Sequence, residues 1–178
     1  MTGIIFNNII RFIALILFQV LIISNVHLQI SFYINPYIYP LFILLLPMQL
    51  PKWAVILASF FTGIAIDTFL NTAGFHAASC VLIGYLRPYI LQLLTPRNGY
   101  EADDQPTIKY LGFTWFITYA TLILLIHHLI YFFIEVHAFN EIGRTFFKIL
   151  ISLFFSLSLI LLIEIIVSPV SKKRFEYN

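Results

Sequence analysis

The stretch GIAIDTFLNTAGFHAASCVLIGYLRP, residues 63–88, carries the most structural information in this sequence. An apolar helix ends within it, a short polar turn follows, and a second apolar helix occupies the rest. Asp67, His76 and Arg87 interrupt the apolar runs. Ionisable groups at bilayer depth are costly, so they usually face a protein interior, pair with one another or serve a function. The small residues between them let helix backbones approach closely. We therefore expect these two helices to form the packed centre of the molecule.

The composition excludes an ordinary soluble domain. Of the 178 residues, 61% are apolar and only 10% are charged, whereas soluble domains carry about 25% charged residues. Apolar runs of about 20 residues, the length that crosses a bilayer, recur along almost the whole chain. The single cysteine, Cys80, excludes an internal disulfide. The sequence therefore predicts one integral membrane domain over residues 1–178.

Six apolar segments predict an all-α, polytopic six-helix bundle. They cover residues 4–23, 36–50, 53–69, 75–94, 111–134 and 143–167. The second segment is short and contains Pro40 and Pro47, which leaves a kinked crossing or a re-entrant loop open. Tyrosines near its start, Tyr37 and Tyr39, are expected to belong to an interfacial aromatic belt.

The distribution of positive charge favours six crossings. With six, eight of the ten Lys and Arg residues lie on the side of both termini, and two, Arg144 and Lys148, lie on the other. Positive charge marks the cytoplasmic side of a membrane protein. We therefore expect both termini in the cytoplasm.

The ionisable residues fall into two layers by predicted depth. The outer layer contains Asp67, His76, His127, His128, Glu135, Arg144 and Lys148, and the inner layer contains Arg11, Arg87 and Glu164. Opposite charges at one depth can form ion pairs that fix helix register. The expected pairs are Asp67 with Lys148 or a histidine, and Arg87 with Glu164. We expect structural or partner-facing roles for these layers, while a substrate or proton site stays open.

Motifs for catalysis or for metal binding are missing from the sequence. The histidines lack the i, i+4 spacing of a helical metal motif, and no Gly-rich phosphate loop is present. No serine or cysteine lies in a recognisable nucleophile elbow. We therefore predict no enzyme activity, no metal, no cofactor and no nucleic-acid partner.

The order of motifs along the chain resembles the rod shape-determining MreD family, in its Bacteroidetes-like members. The likeness is carried by a Gly-rich helix that ends in Asp67, a turn with Gly74, and a small-residue helix that ends in Tyr-Leu-Arg-Pro at 85–88. It extends to Asn35-Pro36-Tyr37, to LTPRNGYE at 94–101 and to the adjacent histidines at 127–128. The resemblance covers nearly the whole chain. It implies that Gly63, Asp67, Gly74 and Arg87 are family-typical positions, structural or partner-facing in role.

The resemblance implies a non-enzymatic component of the cytoplasmic (inner) membrane that takes part in cell elongation, cell shape and peptidoglycan synthesis. Members of the family bind the bitopic protein MreC, and through it join MreB, the glycosyltransferase RodA and a class B penicillin-binding protein. The family is similar in fold to the six-helix substrate-binding subunits of energy-coupling-factor transporters. The alternative is therefore a vitamin-like binding subunit, with Asp67, His76, His128 and Lys148 as pocket residues. Homo-oligomer formation within the lipid bilayer also stays open.

Overall fold

The computed structural model describes residues 2–25, 35–101, 104–136 and 142–168, and within these ranges it contains helices and no strand. The α-helices of these ranges are α1 (Thr2–Leu21), α2 (Pro40–Leu44), α3 (Lys52–Leu70), α4 (Phe75–Leu93), α5 (Ile108–Leu111), α6 (Phe113–Glu135) and α7 (Ile142–Val167). A 3₁₀ turn, Ile23–Asn25, follows α1. The prediction of an all-α chain is confirmed for the described residues. The basic tail at 172–174, expected on the cytoplasmic side, lies outside them.

Four helices are long and apolar enough to cross a membrane: Phe6–Asn25, α3, α6 and α7. The helix α4 has a similar length but is more polar, and it is not one of these four. Large apolar side chains such as Phe61 and Phe154 are exposed on the outside, whereas charged and polar side chains such as Arg87 are buried. An apolar exterior, with charged and polar side chains buried among apolar ones in the interior, is compatible with a membrane protein that crosses the bilayer several times.

The turn between α3 and α4 is fixed by backbone conformation and by one carboxylate. Asn71 ends α3 at φ 54°, and Gly74 precedes α4 at φ 86°; asparagine and glycine adopt this left-handed region most readily. The Asp67 carboxylate accepts hydrogen bonds from the backbone N–H groups of His76 (3.2 Å) and Ala77 (2.8 Å). These groups lie in the first turn of α4 and lack acceptors within the helix. Asp67 therefore caps α4 from the end of α3.

Two glycines allow α3 and α4 to pack closely. A Cβ atom at Gly63 would lie 2.6 Å from the backbone nitrogen of Ala77, and one at Gly84 would lie 2.8 Å from Cβ of Ser59. Both distances are shorter than real Cβ contacts, so a larger residue at either position would force the helices to shift. The stretch 63–88 is thus a tight helical hairpin, and α4 also packs against α6, which in turn packs against α7.

The chain between α1 and α3 does not form one long helix. Within what we call the interior segment, residues 35–51, residues 35–38 have no regular secondary structure, α2 lasts five residues, and turns lead to α3. Pro40 lies in the first turn of α2, where its missing N–H is harmless, and Pro47 and Pro51 prevent a longer helix. The structure therefore differs from the expected helical span over 36–50.

The interior segment runs through the middle of the bundle, and residues 36–46 are all buried. Its beginning contacts Gln19 and its end contacts Arg11, so it is antiparallel to α1. Along α4 it passes from His76 to Arg87, a distance of about 16 Å at the helical rise per residue. The segment is therefore the feature around which the long helices are arranged.

Candidate functional site

Side chains of the long helices satisfy the backbone of the non-helical beginning of the interior segment. Gln19 accepts a hydrogen bond from the Ile38 N–H (2.8 Å) and donates one to the Pro36 carbonyl (3.2 Å). The Tyr37 N–H donates to Ser156 Oγ at 2.8 Å. A non-helical backbone at membrane depth is tolerated only where it is buried in protein or lines a water-filled cavity. The hydrogen bonds from these side chains therefore offset the cost of burying the non-helical backbone of the interior segment.

At its other end, the interior segment is held by Arg87 and Tyr119. The Leu44 carbonyl accepts hydrogen bonds from the Tyr119 hydroxyl (3.2 Å) and from Arg87 Nη2 (3.4 Å). Arg87 Nη2 also donates to the Leu46 carbonyl, and its Nε donates to the Tyr119 hydroxyl at 2.9 Å. The last carbonyls of a helix have no partner within it. The buried guanidinium thus caps α2, which explains a charge that is only 1% exposed.

Three histidines of the predicted outer layer lie in a histidine–tyrosine cluster, which consists of Tyr37, Tyr39, His76, His127, His128 and Tyr131. The Tyr39 hydroxyl lies 2.6 Å from His76 Nδ1 and 2.7 Å from His127 Nε2. The Tyr131 ring stacks on His76 with centroids 4.4 Å apart, and the Tyr37 ring contacts both histidines edge-on. All these side chains are buried. The cluster joins α4 and α6 to the interior segment.

The single proton of the Tyr39 hydroxyl couples the tautomers of two neutral histidines. The hydroxyl donates to one ring nitrogen and accepts from an N–H on the other ring. In either case, one of the two remaining ring nitrogens, His76 Nε2 and His127 Nδ1, carries a proton and the other has a free lone pair. Both atoms are buried without a hydrogen-bond partner among the described residues. The cluster therefore has two proton arrangements, which differ in the free nitrogen that carries the proton.

His128 links α6 to α7 and to the interior segment. Its Nδ1 lies 2.7 Å from the Leu124 carbonyl, which can only accept, so this nitrogen carries the ring proton. Its Nε2 then accepts from the Ser156 hydroxyl at 3.1 Å, while Ser156 Oγ accepts from the Tyr37 N–H. Both ring nitrogens of His128 are thus satisfied by the protein, and its role in the fold is structural.

The outer ion pair differs from the expected one. Lys148 Nζ lies 2.7 Å from Glu135 Oε2 and over the Phe132 ring, 4.6 Å from its centroid. Asp67 instead caps α4, and it meets a histidine through the backbone N–H of His76. Predicted depth specifies the level of a side chain but not its direction around the helix axis. The pairing of Asp67 with Lys148 was therefore wrong although both residues belong to the same layer.

The inner layer also pairs differently. Glu164 accepts a hydrogen bond from the Ile108 backbone N–H at 3.2 Å and interacts electrostatically with Arg11. Arg11 also donates to the Leu45 carbonyl at 3.2 Å. The cation that acts on Glu164 is thus Arg11, while Arg87 is committed to the interior segment. The predicted pairing of Arg87 with Glu164 was wrong for the same geometric reason.

Five residues whose side chains bond the interior segment to the helices were absent from the predicted site: Tyr39 of the segment itself, and Gln19, Tyr119, Ser152 and Ser156 of the helices. Ser152 Oγ, for example, accepts a hydrogen bond from the Asn35 N–H at 3.3 Å. An amide inside an apolar span, as at Gln19, was the available signal, because such a group needs a partner in lipid. Tyr39 was assigned to an interfacial belt, yet it is fully buried, as is nearly all of Tyr37; that prediction was wrong.

Across the described residues, no group of three or more His, Cys, Asp or Glu side chains comes together as a set of metal ligands. No protein-family model, curated protein or solved structure matches the chain. The contacts that define this site are hydrogen bonds between buried side chains and the backbone of the interior segment.

Proposed function

We propose that this protein is a non-enzymatic, multi-pass component of the cytoplasmic membrane that binds MreC and helps to organise peptidoglycan synthesis during cell elongation. Through MreC it joins MreB, RodA and a class B penicillin-binding protein. The resemblance of the stretch 63–88 and of the loop 94–101 to the MreD family supports this proposal. In this arrangement the chain crosses the membrane six times, with the interior segment as the second crossing and both termini in the cytoplasm.

The observation that carries the proposal is that the chain itself fills the middle of the bundle. Residues 36–46 are buried there, and Arg87, Asp67 and His128 are engaged with the backbone or with other side chains. A binding or transport subunit needs such groups for its ligand. A scaffold instead needs a bundle with a fixed shape and an outer surface on which partners bind. The filled interior favours the scaffold.

A membrane scaffold also needs apolar helix faces that can pack against the transmembrane helix of a partner. Large exposed side chains mark such faces on three helices: Ile10 on α1, Phe61 on α3 and Phe154 on α7, which are 50%, 53% and 66% exposed. Helices in lipid associate through van der Waals packing of complementary faces. We place the helix of MreC against one of these faces.

The vitamin-binding alternative has less support. Its pocket would need Asp67, His76, His128 and Lys148 to face a ligand. In the structure Asp67 caps α4, both ring nitrogens of His128 have partners, and Lys148 pairs with Glu135. Of the four, His76 keeps one ring nitrogen without a partner, which is too little to position a small molecule.

Photo-crosslinking in native membranes tests the proposal. A photoreactive amino acid is placed at Ile10, Phe61 or Phe154 of the tagged full chain, and crosslinked partners are identified by mass spectrometry. We expect a bitopic coiled-coil protein to crosslink from one face, and wall-synthesis enzymes to co-purify with it. The other two faces are matched controls, since lipid alone gives no protein crosslink. Recovery of ATPase subunits and a long transmembrane coupling protein would instead contradict the scaffold and support the transporter.

A further inference from the structure

A cavity of about 630 Å³ lies where the interior segment meets α3, α4 and the loop that follows α4. Arg87 forms part of its wall, and Lys52, the first residue of α3, forms another part. The positive-inside rule places this end of the bundle at the cytoplasmic face of the membrane. The cavity is thus at the level of the lipid headgroups.

The charge of the cavity wall is net positive. Lys52 and Arg87 are its cations, and Glu101 is the carboxylate among the residues that line it. The hydrogen bonds of Arg87 to the protein use Nε and Nη2, which leaves Nη1 to meet a ligand. Lys52 Nζ lies 4.7 Å from the centroid of the Tyr89 ring and also interacts with the Tyr89 hydroxyl. An ammonium group has three N–H donors, so this contact leaves further donors of Lys52 for a ligand. Both cations therefore retain donors for an anion.

Two neutral polar groups of the wall, Thr95 and Tyr100, are already used by the protein. Thr95 Oγ1 donates to the Gln92 carbonyl at 2.9 Å, and the Tyr100 hydroxyl donates to the Leu91 carbonyl at 2.7 Å. Burial raises the pKa of Tyr100, so its hydroxyl stays protonated and keeps this bond. These two groups shape the cavity, and Lys52 and Arg87 are the cations of its wall that can select an anionic ligand.

The rest of the wall is apolar and includes Leu50, Pro88 and Leu91. Cations beside an apolar wall at headgroup level match a molecule with a phosphate attached to hydrocarbon chains. A free inorganic anion would leave the apolar part unused. We propose that this cavity binds the phosphate of an anionic phospholipid between Lys52 and Arg87, with the adjoining hydrocarbon against the apolar wall.

Native mass spectrometry of the full chain in neutral detergent tests this site. The protein is titrated with phosphatidylglycerol and, separately, with phosphatidylcholine of the same acyl chains. We expect one phosphatidylglycerol to bind more tightly than phosphatidylcholine. Lys52→Gln should weaken that binding about fivefold, the contribution of one basic side chain near anionic lipid. Lys52 is exposed in the structure, so the variant should fold, which its thermal unfolding curve checks.

Lys109→Gln is the matched control, because Lys109 is an exposed lysine of α5 that does not line the cavity. It should leave the affinity for phosphatidylglycerol unchanged. Equal binding of the two lipids, or equal weakening by Lys52→Gln and Lys109→Gln, would overturn the proposal and indicate unspecific lipid around the bundle. Competition by inorganic phosphate at the same concentration as the lipid would also overturn it, since the site would then bind a free anion.

Discussion

Replacing Gly63 by alanine tests the close packing of α3 on α4. The added Cβ atom would lie 2.6 Å from the Ala77 nitrogen and 2.6 Å from the His76 carbonyl oxygen. Ordinary contacts of a Cβ atom begin at 3.4 Å. Both obstacles belong to the backbone of α4, so no change of rotamer relieves them. In a close-packed interior the two helices must then separate by roughly 1 Å.

The expected loss of unfolding free energy has two sources, the overpacking itself and the hydrogen bonds that the separation lengthens. Overpacking of this kind costs about 1–3 kcal/mol. The separation also lengthens the hydrogen bonds from His76 and Ala77 to the Asp67 carboxylate, now 3.2 and 2.8 Å, and bonds to a charged group contribute about 1.5–3 kcal/mol each. Alanine returns about 0.5–1 kcal/mol through its higher helix propensity. We expect the free energy of unfolding to fall by about 2–5 kcal/mol.

The assay is equilibrium unfolding of the purified full chain in mild detergent with increasing sodium dodecyl sulfate, followed by tryptophan fluorescence. Gly143→Ala is the matched control, because Gly143 lies in α7 and a Cβ atom there meets nothing within 4 Å. This control should be unchanged or more stable by up to about 1 kcal/mol. If Gly63→Ala proves as stable as Gly143→Ala, α3 and α4 do not pack at the distance described.

Three further experiments test the polar site. Tyr39→Phe leaves two more buried histidine nitrogens without partners and should lower the free energy of unfolding by about 2–6 kcal/mol. The control is Tyr85→Phe at an exposed position, which should change the free energy of unfolding by less than about 0.5 kcal/mol. Equal effects of the two variants would argue against the cluster. Asp67→Ala removes the acceptor that caps α4 and should cost about 2–4 kcal/mol, so a normal melting temperature in detergent would rule out the capping role. A double-mutant cycle on Lys148 and Glu135 should give a coupling of about 0.2–1 kcal/mol, because both side chains are partly exposed. A coupling near zero would show that the pair does not stabilise the fold.

The long helices could be predicted from the sequence because lipid imposes a length and a polarity on them. The expected spans 53–69, 75–94 and 143–167 agree within one residue with α3, α4 and α7. Asn71 and Gly74 mark the turn of the central hairpin, since both favour the left-handed conformation found there. Small residues indicated close packing of α3 and α4, and the structure has it at Gly63.

The contacts of the polar residues could not be predicted in the same way. Hydropathy indicates how deep a side chain lies, but the choice of partner depends on which faces of the helices meet. Arg87 and Glu164 were matched by depth, yet the nearest acceptors for Arg87 are carbonyls of a segment that was expected to be helical. A helix would have used those carbonyls itself. The interrupted helix over residues 36–50 therefore supplies Arg87 with backbone partners that depth alone did not indicate.

The prolines of the interior segment and the buried polar side chains around it belong to one arrangement. Proline removes helical hydrogen bonds, and lipid offers no replacement for them, so the freed backbone groups need side chains such as Gln19, Ser156, Tyr119 and Arg87. If the interior segment were helical, those polar side chains would have no backbone groups to bond. If the polar side chains were apolar, the backbone groups of the segment would have no hydrogen-bond partners. A buried polar residue in this chain is therefore explained first by the backbone that it completes. Among the described residues, the buried side-chain atoms that stay without a partner are His76 Nε2, His127 Nδ1 and Thr107 Oγ1. Arg87 differs from them, because it holds the interior segment through Nε and Nη2 and also lines the cavity proposed for a phospholipid.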